Sequence, residues 1–443
     1  MPDEQLLHEA ERLGAAPPVP ESGARRLIGL AAIDLGPLRR HREYRLLWIG
    51  LAVSFFGSQV AFVAVPYQVY RLTGSTALVG LLALVALVPL LLSALVGGAF
   101  ADAVDRRRMV RIAELGLALC STALLVNAVI PSPQVWVLFV VEAFAAVFGG
   151  FLRPSLDSLT PRLVEKHELI AAGALDSLRF QIGLIGGPAL GGVLIATIGL
   201  PGVFGIDIAT FLVSLAALGR MRAVPPPPDA EPPSLRRIAE GFSYAKSRPE
   251  LIGTYGVDIV AMFFGMPTAL FPAFAQEFGG PGVLGLLYAA PPVGSLVATA
   301  TSGWTRKVHR HGMAVIVAAG AWGVGILVLG LARSLPLALA ALAFAGAADM
   351  ISGIFRSTIW NQTIPDRLRG RLAGIEQVSY SSGPLLGDLE AGIVGSLAGV
   401  RFSIVSGGVL CVVGVAAAAL LLPAFRRYDA RTFVPESQPE PAS

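Results

Sequence analysis

Acids standing inside apolar stretches are the first residues that could do chemistry. Glu142, Asp207, Asp258, Asp349, Asp388 and Glu390 lie in runs dominated by Leu, Val, Ala, Gly and Phe. A carboxyl that alternates between water and an apolar setting can bind and release a proton, because burial penalises its charged form. Such acids are costly in lipid and are functional candidates by default. Glu142 and Asp258 lie roughly 8 residues into their runs, ~12 Å at 1.5 Å per residue. They are the first proton-coupling candidates, with Asp349 in reserve. Asp207, Asp176 and Glu376 read instead as static, hydrogen-bonded acids near helix ends. Asp388 and Glu390 are two positions apart, so both cannot face one cavity squarely.

Two further stretches combine glycine with charge or proline. GGAFADAVDRRR, residues 97–108, places glycines, acids and consecutive arginines together. Gly98 lets a helix end approach a neighbour closely. Asp102 can meet a helix N-terminus or a guanidinium. Arg106 and Arg107 can hold carboxylates or lipid phosphates. Simple orientation signalling explains the arginines but neither Asp102 nor the glycines. GLIGGPALGG, residues 183–192, puts Gly183, Gly187 and Gly191 on one helix face, with Gly192 beside them. Pro188 removes a backbone donor and bends the helix. Close helix packing alone explains this pattern about as well as a gating role. Phe263, Phe264 and Phe271, near Pro267 and Pro272, are candidates to line an apolar substrate cavity on a bent helix.

The elements that must position these residues are membrane helices. The chain is 54% hydrophobic and 14% charged, against about 25% charged in a typical globular domain. Twelve apolar blocks are expected to cross a ~30 Å hydrocarbon core. They run over 46–70, 77–100, 109–130, 134–152, 170–198 and 201–219, then 251–274, 283–303, 313–332, 335–355, 372–398 and 401–422. Arg and Lys concentrate before the first block, after every even-numbered block and in the tail. By the positive-inside rule both termini are then cytoplasmic in a cell membrane, plasma or inner. Residues 1–30 lack the basic end and apolar core of a cleavable signal peptide.

The expected organisation is a cytoplasmic segment (1–45), a six-helix bundle (46–222), a Pro-rich cytoplasmic linker with an amphipathic helix (223–250), a second six-helix bundle (251–427) and a tail (428–443). VPPPPDAEPP is a stiff spacer that cannot be a helix interior. The two bundles repeat landmarks. FLRPS ends the fourth span and IFRST the tenth, making Arg153 and Arg356 equivalent. GLIGGPALGG in the fifth span matches SYSSGPLLGD in the eleventh. Parallel duplication of a six-span unit is one of the recurrent transporter plans.

Several function classes are disfavoured. None of Lys166, Lys246 and Lys307 follows a glycine, so no phosphate-cradling Gly-Lys loop is present. All five histidines fall outside the expected spans, and no G-x-S-x-G turn occurs. Cys120 and Cys411 read as small packing residues. An enzyme, a resident metal or cofactor and a nucleic-acid partner are therefore not expected. The expected partners are a small-molecule substrate, protons and membrane lipids, and the chain is expected to be a monomer.

GGAFADAVDRRR resembles the loop signature between spans 2 and 3 of the major facilitator superfamily. The resemblance implies an all-α membrane fold of twelve helices in two pseudo-symmetric halves. It also implies a cytoplasmic latch in which Asp102 works with Arg153. GWTRKVHRHG, the matching loop of the second half, lacks the acid, so the latch would be asymmetric. GLIGGPALGG is similar to the fifth-span signature of antiporters in that superfamily, which implies export. LGPLRRHREYRLLWIG, DIATFLVS, GVDIVAMFFGMPTALFPAFA and RSTIWNQTIPDRLRGRLAG resemble the enterobactin-exporter and multidrug-efflux branch. That resemblance implies a proton-coupled secondary exporter of a small amphipathic molecule such as a siderophore. The alternatives are a pump for macrolide-like or cationic drugs and a non-transporting scaffold. Against an anionic substrate, Arg179 is the one clear base well inside a span.

Overall fold

The computed structural model describes residues 34–103, 105–224 and 243–431, which contain helices and no strand. The segment before residue 34, most of the Pro-rich linker and the tail from 432 lie outside the described residues. So do the side chains at 94–104, 153–154, 157–158, 366–371, 373–375 and 377. The first set of helices is α1 (Gly36–Arg40), α2 (Arg42–Phe62), α3 (Ala64–Thr73), α4 (Thr76–Ala103), α5 (Arg106–Val129), α6 (Val135–Leu159) and α7 (Leu169–Gly219). The second is α8 (Pro249–Gly265), α9 (Phe271–Gln276), α10 (Pro281–Ala300), α11 (His311–Leu331), α12 (Leu335–Thr363), α13 (Asp366–Ala398), α14 (Val400–Leu421) and α15 (Pro423–Arg426). Among the described residues ten stretches are long and apolar enough to cross a membrane; residues 166–219 count once, and α13 is not among them. The chain is a multi-pass membrane protein.

Two expected spans are bent and two others meet at a tight turn, each for a local reason. The first breaks at Val63, between α2 and α3. Pro66 lacks an N–H, and its ring opposes the carbonyl four residues earlier, at Phe62. The fifth and sixth are two arms of α7 that turn at Gly199, where φ is 73° and ψ 177°. Only glycine takes that conformation without strain. The seventh ends as α8 at Gly265 and resumes as α9. Met266, which precedes Pro267, is extended at φ −98° and ψ 105°, as the residue before a proline prefers.

Helix packing falls into two sets. In the first, α2 lies on α7, α4 on α6, and α5 on both α6 and α7. In the second, α10 and α11 lie on α12, while α8 packs on α13 and α14. Two seams join the sets, α4 against α13 and α7 against α10. Gly80 meets the Asp388 carbonyl and Gly392 at one seam; Gly285 meets the Pro188 carbonyl and Gly192 at the other. A methyl group on Gly80, Gly192 or Gly285 would overlap backbone across the seam. Thr76 adds a hydrogen bond from Oγ1 to the Gly392 carbonyl at 2.9 Å. Both close approaches lie at the helix ends remote from Arg106–Arg108.

At the arginine-rich end the charges terminate helices. Asp105 N-caps α5, accepting from the backbone N–H groups of Arg107 at 3.0 Å and Arg108 at 3.4 Å. Arg107 donates to the Leu218 and Gly219 carbonyls, both at 2.8 Å. It thereby satisfies orphan acceptors at the C-terminus of α7. Arg107→Ala should lower stability by about 1 kcal/mol and leave transport per folded molecule unchanged. Thermal unfolding in detergent beside vesicle transport checks this. Lost transport at full stability would show that Arg107 acts in the latch as well as in the cap.

Candidate functional site

The densest charged group inside the membrane region is built from α8, α12 and α13. Arg356 on α12 is 3% exposed and pairs with Asp258 Oδ1 on α8. Its second terminal nitrogen lies 3.3 Å from Asp349 Oδ1. Asp349 and Arg356 are seven residues apart on α12, two turns along one helix face. The guanidinium sits over the Tyr380 ring of α13, 5.3 Å from its centroid. Tyr380 meets Trp360 edge-on, and Trp360 leans on Tyr255. Trp360 Nε1 donates to Thr254 Oγ1 at 2.9 Å. The Tyr255 hydroxyl is buried with no hydrogen-bond partner among the described residues.

The two acids differ in access. The Asp258 side chain is 7% exposed and that of Asp349 41%. With both ionised, the group carries one net negative charge. A proton on Asp349 would neutralise it while the sealed Arg356–Asp258 pair persists. Such a pair is expensive to break from one side, because the abandoned charge remains buried. The geometry therefore offers one fixed ion pair and one carboxyl that can titrate.

Sequence reasoning placed Asp258 and Asp349 among the proton candidates and missed the residue that joins them. Arg356 was visible only as the repeat partner of Arg153, and Arg179 as the sole interior base. The structure corrects this: Arg356 is the more deeply buried cation. Glu142 on α6 is half-buried and does not join Asp258; among the described residues it makes no hydrogen bond or ion pair.

The break between α8 and α9 leaves backbone groups that must be satisfied away from water. Trp322 Nε1 donates to the Gly265 carbonyl at 3.1 Å, and the Tyr288 hydroxyl to the Thr268 carbonyl at 3.1 Å. Asp388 accepts from the Ala269 N–H at 2.9 Å and from the Thr268 hydroxyl at 2.5 Å. Asp388 thus fastens the break to α13 beside the α4–α13 seam. Phe271 is 1% exposed and packs edge-on against Tyr288. That places it in the packed interior beside the helix break. Phe263 and Phe264 are half-buried and in edge-to-face contact.

The glycine motif of α7 serves two surfaces. Gly183 faces Phe55, Gly187 faces the backbone of Gln59, and Gly191 faces the Val60 carbonyl, all on α2. Pro188 and Gly192 face α10. Gly383 and Gly387 of α13 receive α8 in the same manner. Gly187 therefore governs packing within its own set, and Gly192 governs the seam. Of the latch candidates, Arg106 is buried and Arg107 caps α7. Gly98 and the side chains of Asp102 and Arg153 lie outside what the structure describes of residues 94–104 and 153–154.

A second polar group lies in the interior of the first set; the sequence pointed to Asp207 as a hydrogen-bonded acid but not to Glu114. Ser54 donates to Glu114 at 3.0 Å. Ser58 and Ser121 donate to Asp207 at 3.3 and 2.5 Å. Glu114 escaped notice because it follows Arg106–Arg108 and Arg111 closely and reads as interfacial.

A family model described as a transmembrane secretion effector matches residues 32–442. The enterobactin exporter of Citrobacter koseri is 29% identical over 412 residues, covering 92% of this chain and 98% of that protein. The enterobactin exporter of Shigella boydii serotype 4 is 27% identical over 401 residues, covering 89% and 95%. Among solved structures, a POT family transporter in complex with 5-aminolevulinic acid has a TM-score of 0.68 at 11% identity, covering 87% of this chain and 97% of that one. A bacterial homologue of the iron transporter ferroportin, in an inward-facing state, has a TM-score of 0.64 at 15% identity, covering 87% and 98%. The structural likenesses show a shared fold.

Proposed function

Because the chain belongs to the transmembrane secretion effector family of the major facilitator superfamily, we propose that it is a proton-coupled secondary exporter of a small amphipathic molecule, with an enterobactin-type siderophore first among candidates. The observation that carries export is the end-to-end similarity to proteins named enterobactin exporters. The molecule acts as a carrier rather than an enzyme, as a monomer in the cytoplasmic membrane. It has twelve spans in two halves, 46–222 and 251–427, joined by the linker at 223–250, with both termini cytoplasmic. In that orientation the glycine seams close the outer face, and the conformation is inward-facing. Gly98, Asp102 and Arg106 with Arg153 form the cytoplasmic latch of the opposite state.

Coupling runs through Asp349, held by Arg356 beside Asp258. A proton taken up outside neutralises the group, and its loss inside restores the negative charge. A neutral or cationic molecule fits that charge better than an anion does. The net charge of the group therefore favours a second reading, efflux of a cationic or neutral amphipathic drug.

The test uses proteoliposomes with an imposed pH gradient, loaded in parallel with a catecholate siderophore and a cationic drug. Asp349→Asn should retain substrate binding and lose gradient-driven export, because the amide keeps the shape and cannot carry the proton. Glu142→Gln should export normally. Asp349→Asn pumping at the wild-type rate would remove Asp349 from coupling. A wild type indifferent to the gradient would remove antiport altogether.

A further inference from the structure

Between α2, α5 and α7 the carboxyl and hydroxyl groups stack in two levels that the transport route above leaves unused. At the first, Glu114 of α5 is 1% exposed and accepts from Ser54 of α2 at 3.0 Å. Ser214 of α7 is fully buried and faces the same carboxyl. Glu114 Oε2 and Ser214 Oγ are both buried without a hydrogen-bond partner among the described residues. At the second level, Asp207 of α7 is 3% exposed and accepts from Ser58 of α2 and Ser121 of α5. The helices exchange roles between levels: α5 gives a carboxyl and then a hydroxyl, and antiparallel α7 gives the reverse. The levels are seven residues apart on α5 and on α7, ~10 Å at 1.5 Å per residue, and Ser54 and Ser58, four apart on α2, each reach one level.

Neither acid has a cation at hydrogen-bonding distance among the described residues. The charged groups facing Glu114 are Asp207 and Arg179. Arg179 is itself held by Asp176, 3.7 Å away, and lies over the Phe55 ring. Asp207 meets hydroxyls only. A carboxylate this deeply buried needs a counter-charge or a proton. Hydroxyl-to-carboxyl contacts of 2.5–3.3 Å are hydrogen bonds in which each serine donates to the acid, so with no cation at hand a proton is the simplest counter-charge. The open position is Glu114 Oε2, whose acid O–H can donate to Ser214 Oγ.

We propose that Glu114 and Asp207 form a second proton site, separate from the Arg356 group, which movement of α2 loads and unloads during the transport cycle. Only the cyclic loading and unloading rests on the carrier reading; proton occupancy stands alone. The link is α2 itself. Ser54 and Ser58 face the acids, while Phe55 and Gln59 face Gly183 and Gly187 of the α7 motif. A shift of α2 along that glycine track withdraws hydroxyl donors from both acids together. Losing donors makes each acid hold its proton more tightly.

The test counts protons on the full-length protein in weakly buffered detergent, without substrate, using a pH indicator and the infrared band of protonated carboxyls. Relative to wild type, Glu114→Gln and Asp207→Asn should each bind about one proton fewer across the titration, and the carboxylic band should shrink in each. Unchanged counts would overturn the site. If these variants fail to fold, Ser54→Ala keeps the acid and removes a donor, so the titration midpoint should move to higher pH. An unmoved midpoint counts against the proposal equally. Sodium-dependent thermal stabilisation that vanishes in Glu114→Gln would replace the proton with an alkali cation and refute it. In proteoliposomes the same variants should move fewer protons per substrate. If instead the wild type binds these protons but ignores a pH gradient, the coupling reading fails and the site's occupancy stands.

Discussion

Arg356→Gln is expected to abolish export and to lower stability by about 3–5 kcal/mol, the usual penalty for stranding one member of a buried ion pair. Asp258 would be left at 7% exposure with its cation gone, forced to take a proton or bear an unpaired charge. Asp349 would lose its partner on the same helix, and Tyr380 the guanidinium over its ring. Removing the stranded charge should recover much of the loss. Arg356→Gln combined with Asp258→Asn should therefore be more stable than Arg356→Gln alone, yet still fail to export. Chemical denaturation in detergent and vesicle export decide the matter together. A single variant as stable as wild type, or a double variant that pumps, would dismiss this group as the centre of the mechanism.

Gly285→Leu is expected to stop export by jamming one seam. Even a methyl group there overlaps the Pro188 carbonyl and crowds Gly192. Overpacking costs about 1–3 kcal/mol; applied to one state of a two-state carrier, that shifts the populations by about 5–150-fold. The protein should still reach the membrane, because each helix set can pack internally. Single cysteines near the start of α10 should label faster from outside. Gly187→Leu should behave differently, since its neighbour is the Gln59 backbone of α2 in the same set; reduced yield is the result expected there. Normal labelling and normal export in Gly285→Leu would show that the seam is not a moving contact.

Much of the architecture was legible because lipid imposes a simple rule: uncharged runs of about twenty residues are helices. The breaks were partly legible too. Pro66, Pro201 and Pro267 stand at or just after the bends, and Gly199 takes the positive φ that only glycine tolerates easily. The site was less legible, because a buried ion pair between helices has no sequence spacing. Asp258 and Arg356 are remote in the chain, and an arginine near a span end looks like an orientation signal. Asp349 to Arg356, at seven residues, was the available clue. The motif of α7 showed which glycines lie together but could not say which neighbour each one touches.

The two seams share an ancestry of form and differ in one atom group that changes what the halves can be used for. Where α7 carries Gly192, α13 carries Asp388, and only the latter ties down a broken helix. A protein engineer who duplicated the first half to replace the second would obtain a molecule able to close but without this fastening. The reverse duplication would add a second carboxylate clasp where Gly192 now lets backbone meet backbone. The halves are thus no longer interchangeable parts, and a functional chimera must carry Asp388, Thr268 and Ala269 together as one transplantable unit.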